Sequence, residues 1–179
     1  MKILFLDMDG AGANSDTLIA QWITNKQNEG FSKKEALEEY RKTFCDGLEA
    51  VFPEKSQLVK KIIESTGAKI VWSTDWRKYH PYLRNIDAAK EMLDRHDMCG
   101  YALIGYTPDF GYYDFRGNEI RQYLFDAQGR GIFVEKSAIL DDREDAGFNL
   151  PERCKFFKTR TSVGITEEIA DAIIGYFNE

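Results

Sequence analysis

The chain of 179 residues contains few cysteines and histidines, and this scarcity excludes several kinds of site. The three cysteines, Cys45, Cys99 and Cys154, are odd in number, far apart and without Cys-x-x-Cys spacing. We therefore expect reduced packing residues, because neither a disulfide framework nor a zinc site fits this pattern. The two histidines, His80 and His96, also lie apart, and we interpret them as surface residues rather than metal ligands.

Long apolar runs and an excess of positive charge are also missing. No apolar run approaches ~18 residues, so the sequence predicts no membrane span. The first residues show no signal-peptide pattern, and we expect a cytoplasmic protein. A net charge of −6 argues against a protein that coats nucleic acid along its whole surface, but it is compatible with a local basic groove. The 43% hydrophobic content suffices for one globular domain, which we place over residues 1–179.

What the chain does contain is an alternation of short apolar runs and helical patterns. The runs at 3–6, 68–72, 102–105, 137–140 and 155–158 predict strands, and helices are expected between them. This order is typical of an α/β fold with a doubly wound parallel sheet. Helices over about 17–29 and 32–51 contain few apolar residues, and Ser32 with Glu35 forms a capping box. Residues 14–51 therefore form either a small cap or flap inserted after the first strand, or an ordinary helical layer.

The first strand ends in two carboxylates, Asp7 and Asp9, followed by Gly10. The carboxyl end of a buried parallel strand is where open α/β sheets bind ligands. Two carboxylates this close repel each other unless a cation or a shared proton lies between them, and Mg²⁺ is a hard ion suited to oxygen ligands. A carboxylate can also act as a covalent nucleophile. The alternative is that both residues merely end the strand and cap the next turn.

Further polar residues stand at other strand or helix ends. Ser73 follows the second strand, Arg116 opens a helix, and Asp141 and Asp142 follow the fourth strand. A phosphoryl-transfer site needs such a set: a carboxylate attacks phosphorus, a metal neutralises charge, and a hydroxyl and a cation hold the remaining oxygens.

Three motifs resemble the haloacid dehalogenase (HAD) superfamily, in that family's order: Phe-Leu-Asp-Met-Asp-Gly at 5–10, Val-Trp-Ser-Thr at 71–74 and Ile-Leu-Asp-Asp at 139–142. Ser-Thr-Asp-Trp-Arg at 73–77, Arg-Gly-Asn-Glu-Ile at 116–120 and Asp-Asp-Arg at 141–143 are similar to the small HAD domains of RNA-repair proteins. They are also similar, more loosely, to the phosphatase domain of phage polynucleotide kinase. The resemblance implies strand order 5-4-1-2-3, which brings the first, second and fourth strand ends together.

The resemblance also implies roles for the acidic residues. Asp7 would be the nucleophile that becomes aspartyl-phosphate. Asp9 would be the general acid and then the general base, with its backbone carbonyl on Mg²⁺. Asp142 would complete the Mg²⁺ shell, supported by Asp141 and Asp145.

For the phosphoryl group, the resemblance implies hydroxyl and cationic ligands. Ser73 would donate a hydrogen bond to it, and Thr74, one residue later, is the alternative. Arg116 would counter its charge, with Arg121 the less favoured candidate. Arg77 is a further candidate, since the phage enzyme has an arginine just beyond its strand-end serine.

Two features leave the surroundings of the site open. Relatives follow Asp-x-Asp-Gly with Thr or Val and then an apolar residue, whereas here Ala11-Gly12-Ala13 follows, which indicates a more flexible entrance or reduced activity. The segment 76–82 mixes cations and aromatic residues, as a surface that grips a nucleic-acid strand would. Snorkelling side chains at a packed helix entrance would give the same pattern.

We therefore predict a Mg²⁺-dependent HAD-type phosphatase that acts on a phosphomonoester, with a nucleotide or a nucleic-acid 3′-end as the favoured substrate. The alternatives are a small-metabolite or free-nucleotide phosphatase, and a module that binds phosphate without turnover. The sequence defines neither the substrate nor the oligomeric state, because specificity resides in loops and insertions.

Overall fold

One parallel sheet organises the molecule. The computed structural model describes residues 1–12, 15–43, 51–111 and 114–179. Its strands are β1 (Lys2–Leu6), β2 (Lys69–Trp72), β3 (Leu103–Tyr106), β4 (Lys136–Asp141) and β5 (Cys154–Lys158). They follow the order β3-β2-β1-β4-β5, and each neighbouring pair is parallel. The predicted α/β class is confirmed, as is the strand order that the family resemblance implies.

Helices connect the strands. They are α1 (Ser15–Asn28), α2 (Lys33–Thr43), α3 (Pro53–Thr66), α4 (Trp76–Tyr79), α5 (Ile86–Arg95), α6 (Arg116–Gly129) and α7 (Glu167–Asn178). Shorter helical turns occupy Met8–Gly12, Pro81–Arg84, Gly100–Ala102 and Glu144–Gly147. Within the described ranges, no helix has the length and apolar character needed to cross a membrane.

The central strand β1 is buried on both faces, which explains its continuous apolar run. Leu4 and Leu6 belong to the core that β1 shares with α3, α5 and α7. Ile3 and Phe5 face the opposite core beneath α6, where the Phe5 ring meets the Tyr123 ring edge-on at 5.6 Å between centroids. The apolar run has no polar face, so the next polar residues come after Leu6, at the edge of the sheet where β1 ends.

Two helix ends show the local interactions that favour them. The Ser32 backbone N–H donates to Glu35 Oε2 at 2.8 Å, and the Glu35 N–H donates back to Ser32 Oγ at 3.3 Å, which confirms the capping box. Gly67 ends α3 with φ of +66°, a left-handed conformation that favours glycine, and its N–H donates to the Ile63 carbonyl.

The segment after β1 differs in part from the prediction. Residues 8–12 form a helical turn and α1 begins at Ser15, although a loop was expected up to residue 16. The expected continuation of α2 towards Val51 falls on residues 44–50, which lie outside the described residues. So do Ala13, the last residue of the unusual Ala-Gly-Ala stretch, and Asn14. Helices α1 and α2 pack together through the Trp22 indole, whose N–H donates to the Ala36 carbonyl at 3.0 Å. A cap or flap role for residues 14–51 stays a prediction.

Candidate active site

Backbone hydrogen bonds align the ends of three strands. The Asp7 N–H donates to the Leu140 carbonyl of β4 at 3.0 Å, and the Ser73 N–H donates to the Leu6 carbonyl of β1 at 2.9 Å. Parallel strands in register deliver the residue that follows each of them to the same edge of the sheet. The carboxylates after β1, the hydroxyl after β2 and the acidic pair at the end of β4 are therefore brought together.

The acidic cluster consists of Asp7, Asp141 and Asp142, each with an oxygen within 4.8 Å of the other two. Asp7 is 4% exposed and Asp141 is fully buried, whereas Asp142 is partly exposed and its Oδ2 accepts a hydrogen bond from the Thr161 hydroxyl. Burial raises the pKa of Asp7 to about 7, although the nearby Arg116 guanidinium opposes this rise. Burial, followed by the charge of Asp7, also raises the pKa of Asp141 well above its usual range.

This donor set fits a divalent cation. Carboxylate oxygens are the ligands that Mg²⁺ prefers, and a cation would remove the repulsion that opposes ionisation of Asp7 and Asp141. Ser73 Oγ is also buried and has no hydrogen-bond partner among the described residues. Buried polar atoms are normally satisfied, so this hydroxyl is available to a group that binds here. The predicted ligation by the Asp9 backbone carbonyl stays a prediction.

Gly10 lets the loops after β1 and β4 approach each other closely. A Cβ at this position would lie 2.5 Å from the Asp142 Cβ and 2.7 Å from the Asp142 backbone nitrogen. The Gly10 N–H also donates to Asp7 Oδ2 at 3.0 Å and so orients the carboxylate. The glycine that ends the Asp-x-Asp-Gly motif therefore brings Asp142 into the cluster.

Arg116 supplies a buried positive charge at the first position of α6. It is 2% exposed, with Nη2 3.1 Å from Asp75 Oδ1, Nη1 3.3 Å from Glu119 Oε2 and Nε 3.7 Å from Asp141 Oδ2. Burial lowers the pKa of this guanidinium, but the carboxylates of Asp7 and Asp141 outweigh that effect and raise it, so the group stays charged. Arg121, the alternative at sequence level, instead lines a separate cavity with Phe125 and Arg153.

Asp145 holds the start of α6 in place, as a supporting role implies. Its Oδ2 accepts the Arg116 backbone N–H at 2.9 Å, and its two oxygens also accept from Arg143 Nε and Nη2 at 2.9 and 2.7 Å. A carboxylate at a helix N-terminus is favoured by the helix dipole. Asp145 thus connects the loop after β4 to the helix that presents Arg116.

Asp9 lies beside the cluster and is held by a tryptophan. The Trp76 indole N–H donates to Asp9 Oδ1 at 2.6 Å. Burial raises the pKa of Asp9, and this hydrogen bond opposes the rise by stabilising the ionised form. A carboxyl with a raised pKa keeps its proton to higher pH, which suits a general acid.

The two hydroxyls after β2 have different surroundings. Thr74 Oγ1 accepts the backbone N–H of Trp76 at 3.3 Å, so that hydroxyl already serves the start of α4. Ser73 Oγ is buried and lacks a partner among the described residues. The surroundings therefore favour Ser73 over Thr74 as a ligand for a phosphoryl oxygen.

The cations of segment 76–82 turn towards protein partners. Arg77 is buried, and its guanidinium donates to the Thr107 carbonyl at 2.6 Å and to the Pro108 carbonyl at 3.1 Å. Lys78 Nζ lies 2.9 Å from Asp75 Oδ1 and 3.2 Å from Asp109 Oδ1. The structure thus does not bring Arg77 among the residues that line the candidate site, and its contacts are those of a residue that anchors the loop after β3.

The site opens into a cavity of about 360 Å³ lined by Asp7, Asp9, Asp75, Arg116, Asp142, Arg143 and Thr161. Three of these, Asp75, Arg143 and Thr161, had no role predicted from the sequence. Asp75 and Arg143 stand in motifs that carry the family resemblance and form an ion pair with 3.3 Å between Oδ2 and Nη1. No sequence signal pointed to Thr161, which reaches the cavity from the loop after β5. The lining contains four carboxyl groups and two guanidiniums, so it is net negative when every carboxyl is ionised.

Comparison with known families agrees with this geometry. The family described as the HAD domain in Swiss Army Knife RNA repair proteins matches residues 3–170. The chain belongs to the HAD superfamily. Specifically, it is a HAD domain of the RNA-repair type. No curated protein and no solved structure matches the chain.

Membership supports a phosphatase-type hydrolase or an RNA-repair function at the level of the family. HAD domains generally use a divalent metal, and the acidic cluster of this HAD domain is a group that could hold one. An RNA-repair family also favours a nucleic-acid end among the substrate classes predicted from the sequence.

Proposed function

We propose that this HAD domain is a Mg²⁺-dependent phosphomonoester hydrolase that works through an aspartyl-phosphate on Asp7. The observation that carries the proposal is that buried Asp7 clusters with Asp141 and Asp142 and is influenced by the nearby guanidinium of Arg116. A carboxylate in this position has a cation near it and belongs to a group of oxygen atoms that could hold a metal. The guanidinium and the metal would both stabilise the negative charge on a phosphoryl group.

Asp7, Asp141 and Asp142 would hold the ion. When bound, Mg²⁺ would neutralise charge on the phosphoryl oxygens. The ionised carboxylates of the cavity lining repel a phosphate dianion, so we expect metal binding to increase substrate affinity.

The protein groups would then perform two in-line displacements. Asp7 attacks phosphorus through a carboxylate oxygen while the bond from phosphorus to the leaving oxygen breaks, and Asp9 gives its proton to that oxygen. A water next attacks the aspartyl-phosphate, Asp9 takes a proton from it, and Asp7 leaves as a carboxylate. Arg116 and Ser73 hold the non-reacting oxygens throughout.

For the substrate, we favour a nucleotide or a nucleic-acid 3′-phosphate, because the family acts in RNA repair. Segment 76–82 does not add support for a polymer, since Arg77 and Lys78 contact the protein itself. A small-metabolite or free-nucleotide phosphatase is the alternative enzyme. A phosphate-binding module without turnover would need the same cluster but no competent nucleophile.

The test compares wild type, Asp7→Asn and the exposed control Asp126→Asn on p-nitrophenyl phosphate with Mg²⁺. We expect Asp7→Asn to abolish turnover and Asp126→Asn to match wild type. Acid-quenched wild type should also carry a phosphoryl group on the peptide that contains Asp7. Near-normal hydrolysis by Asp7→Asn would refute the covalent mechanism. Phosphate binding by a wild type without turnover would establish the binding module instead.

A substrate panel then separates the remaining alternatives. Mononucleotides, 3′-phosphorylated oligoribonucleotides and sugar phosphates are compared by kcat/KM at one salt concentration. Preference for the oligonucleotides supports a nucleic-acid end, whereas preference for sugar phosphates supports the metabolite phosphatase.

A further inference from the structure

The Trp76 side chain donates a short hydrogen bond to Asp9 at the edge of the candidate site. Its indole Nε1 lies 2.6 Å from Asp9 Oδ1, and the side chain is 5% exposed. The ring packs in the core on the α3 face of the sheet and meets the His80 ring edge-on at 6.3 Å between centroids. A large ring packed this tightly has little freedom, so the position of its N–H is fixed.

The backbone that carries Trp76 is hydrogen-bonded to the end of β1, the strand that precedes Asp9. The Ser73 N–H bonds to the Leu6 carbonyl, and Thr74 Oγ1 accepts the Trp76 N–H at 3.3 Å. The end of β2 is thereby set against the end of β1, and the indole extends from it to the loop after Asp7. This arrangement gives the Thr74 hydroxyl a use other than binding phosphate.

An indole N–H can donate a hydrogen bond but cannot accept one. When the Asp9 carboxyl group is protonated, the oxygen that faces the indole should therefore be the C=O oxygen, because it is a better acceptor than the hydroxyl oxygen. The transferable proton then resides on Oδ2. Rotation of the carboxyl group, which would exchange the two oxygens, costs the hydrogen bond to Trp76.

We propose that Trp76 is a positioning residue for proton transfer: it binds Asp9 Oδ1 and reserves Oδ2 for the leaving oxygen of the substrate. This inference rests on the proposed phosphatase function. Loss of the indole donor should slow the step in which the leaving oxygen needs a proton. Binding of the phosphoryl group should change little, because Trp76 is not among the residues that line the cavity.

The test uses leaving groups that differ in their need for a proton. An alkoxide leaving group such as that of glycerol phosphate must be protonated, whereas p-nitrophenolate leaves without this help. General acid catalysis contributes about 10²–10⁴-fold, and we expect Trp76→Phe to lose about tenfold in kcat/KM on the alkyl ester and less than about twofold on the aryl ester. Asp9→Asn should show the same selectivity, to a greater extent.

The matched control is Trp22→Phe, which removes an indole donor to the Ala36 carbonyl in the α1–α2 pair. It should leave the ratio of alkyl to aryl kcat/KM unchanged. Equal losses on both esters for Trp76→Phe, or no loss on either, would overturn the positioning role while the proposed function stands. A wild type that hydrolyses neither ester would instead refute the proposed function, and this role with it.

A readout independent of turnover tests the contact itself. The chain has three tryptophans, and the indole N–H resonance that disappears from the ¹H–¹⁵N spectrum of Trp76→Phe is that of Trp76. Asp9→Ala removes the acceptor and should shift that resonance upfield, while those of Trp22 and Trp72 stay in place. An unmoved Trp76 resonance in a folded Asp9→Ala protein would overturn the inference regardless of activity.

Discussion

Replacement of the proposed nucleophile should stabilise the metal-free protein. The Asp7 carboxyl is almost fully buried, and its pKa rises from an ordinary 3.8 to about 7. The folded pKa is above the unfolded one, so the energetic cost of the ionised group is absent below pH 3.8 and complete above pH 7. For Asp7 alone this cost is about 4 kcal/mol.

The gain from Asp7→Asn should be smaller than that cost. Arg116 loses one of its carboxylates, although Asp75, Glu119 and Asp141 remain near it. Removal of the Asp7 charge also eases ionisation of Asp141, whose pKa is coupled to it. We expect a net stabilisation of about 2 kcal/mol at pH 8, or ~4–8 °C in Tm for a domain of this size.

The assay is urea unfolding of wild type, Asp7→Asn and the exposed control Asp126→Asn in EDTA at pH 8 and pH 5. The gain from Asp7→Asn should shrink at pH 5, because the wild-type carboxyl is then largely protonated in the fold. In excess Mg²⁺ at pH 8 the order should reverse, because a ligand at 100 times its Kd stabilises the native state by ~2.7 kcal/mol. An Asp7→Asn protein no more stable than wild type in EDTA at pH 8 would refute the electrostatic reasoning.

Gly10→Ala should weaken Mg²⁺ binding, because the new Cβ would lie 2.5 Å from the Asp142 Cβ. The Mg²⁺ concentration at the midpoint of thermal stabilisation measures this affinity, and an unchanged midpoint would contradict the prediction. Glu119→Gln should lower kcat by about tenfold, since a charged hydrogen bond contributes ~1.5–3 kcal/mol and Glu119 Oε2 lies 3.3 Å from Arg116 Nη1 and 3.6 Å from Arg77 Nη2. Activity equal to wild type in a Glu119→Gln protein would show that the network does not hold Arg116. Chelation by EDTA should abolish turnover and added Mg²⁺ should restore it, whereas full turnover in excess EDTA would exclude a metal requirement.

The sequence predicted those features of the fold that depend on neighbours in the chain. The apolar run of β1 and the Ser32–Glu35 capping box each involve a few consecutive residues. The strand order was available only through the resemblance to a family. Carboxylates at strand ends were located from the sequence because a strand of known direction determines which edge its last residue reaches.

What the sequence could not provide were contacts between distant residues. The guanidinium of Arg77, a predicted phosphate ligand, donates to the Thr107 and Pro108 carbonyls, 30 and 31 residues away, and the sequence did not indicate these contacts. The bond from Trp76 to Asp9 spans 67 residues, and neither residue type predicts it. Thr161 belongs to a loop without a motif, so only the register of β5 beside β4 brings it to Asp142.

The central position of β1 affects how the protein would lose activity. Its amides are hydrogen-bonded to β2 on one side and to β4 on the other, and both faces are covered. Hydrogen exchange at such a strand normally requires opening of the whole domain, because no local fluctuation frees it. The carboxylate that follows this strand therefore has no partially unfolded state of its own. Heat inactivation and global unfolding of the wild type should coincide, and a chain that refolds should recover its nucleophile in the same step.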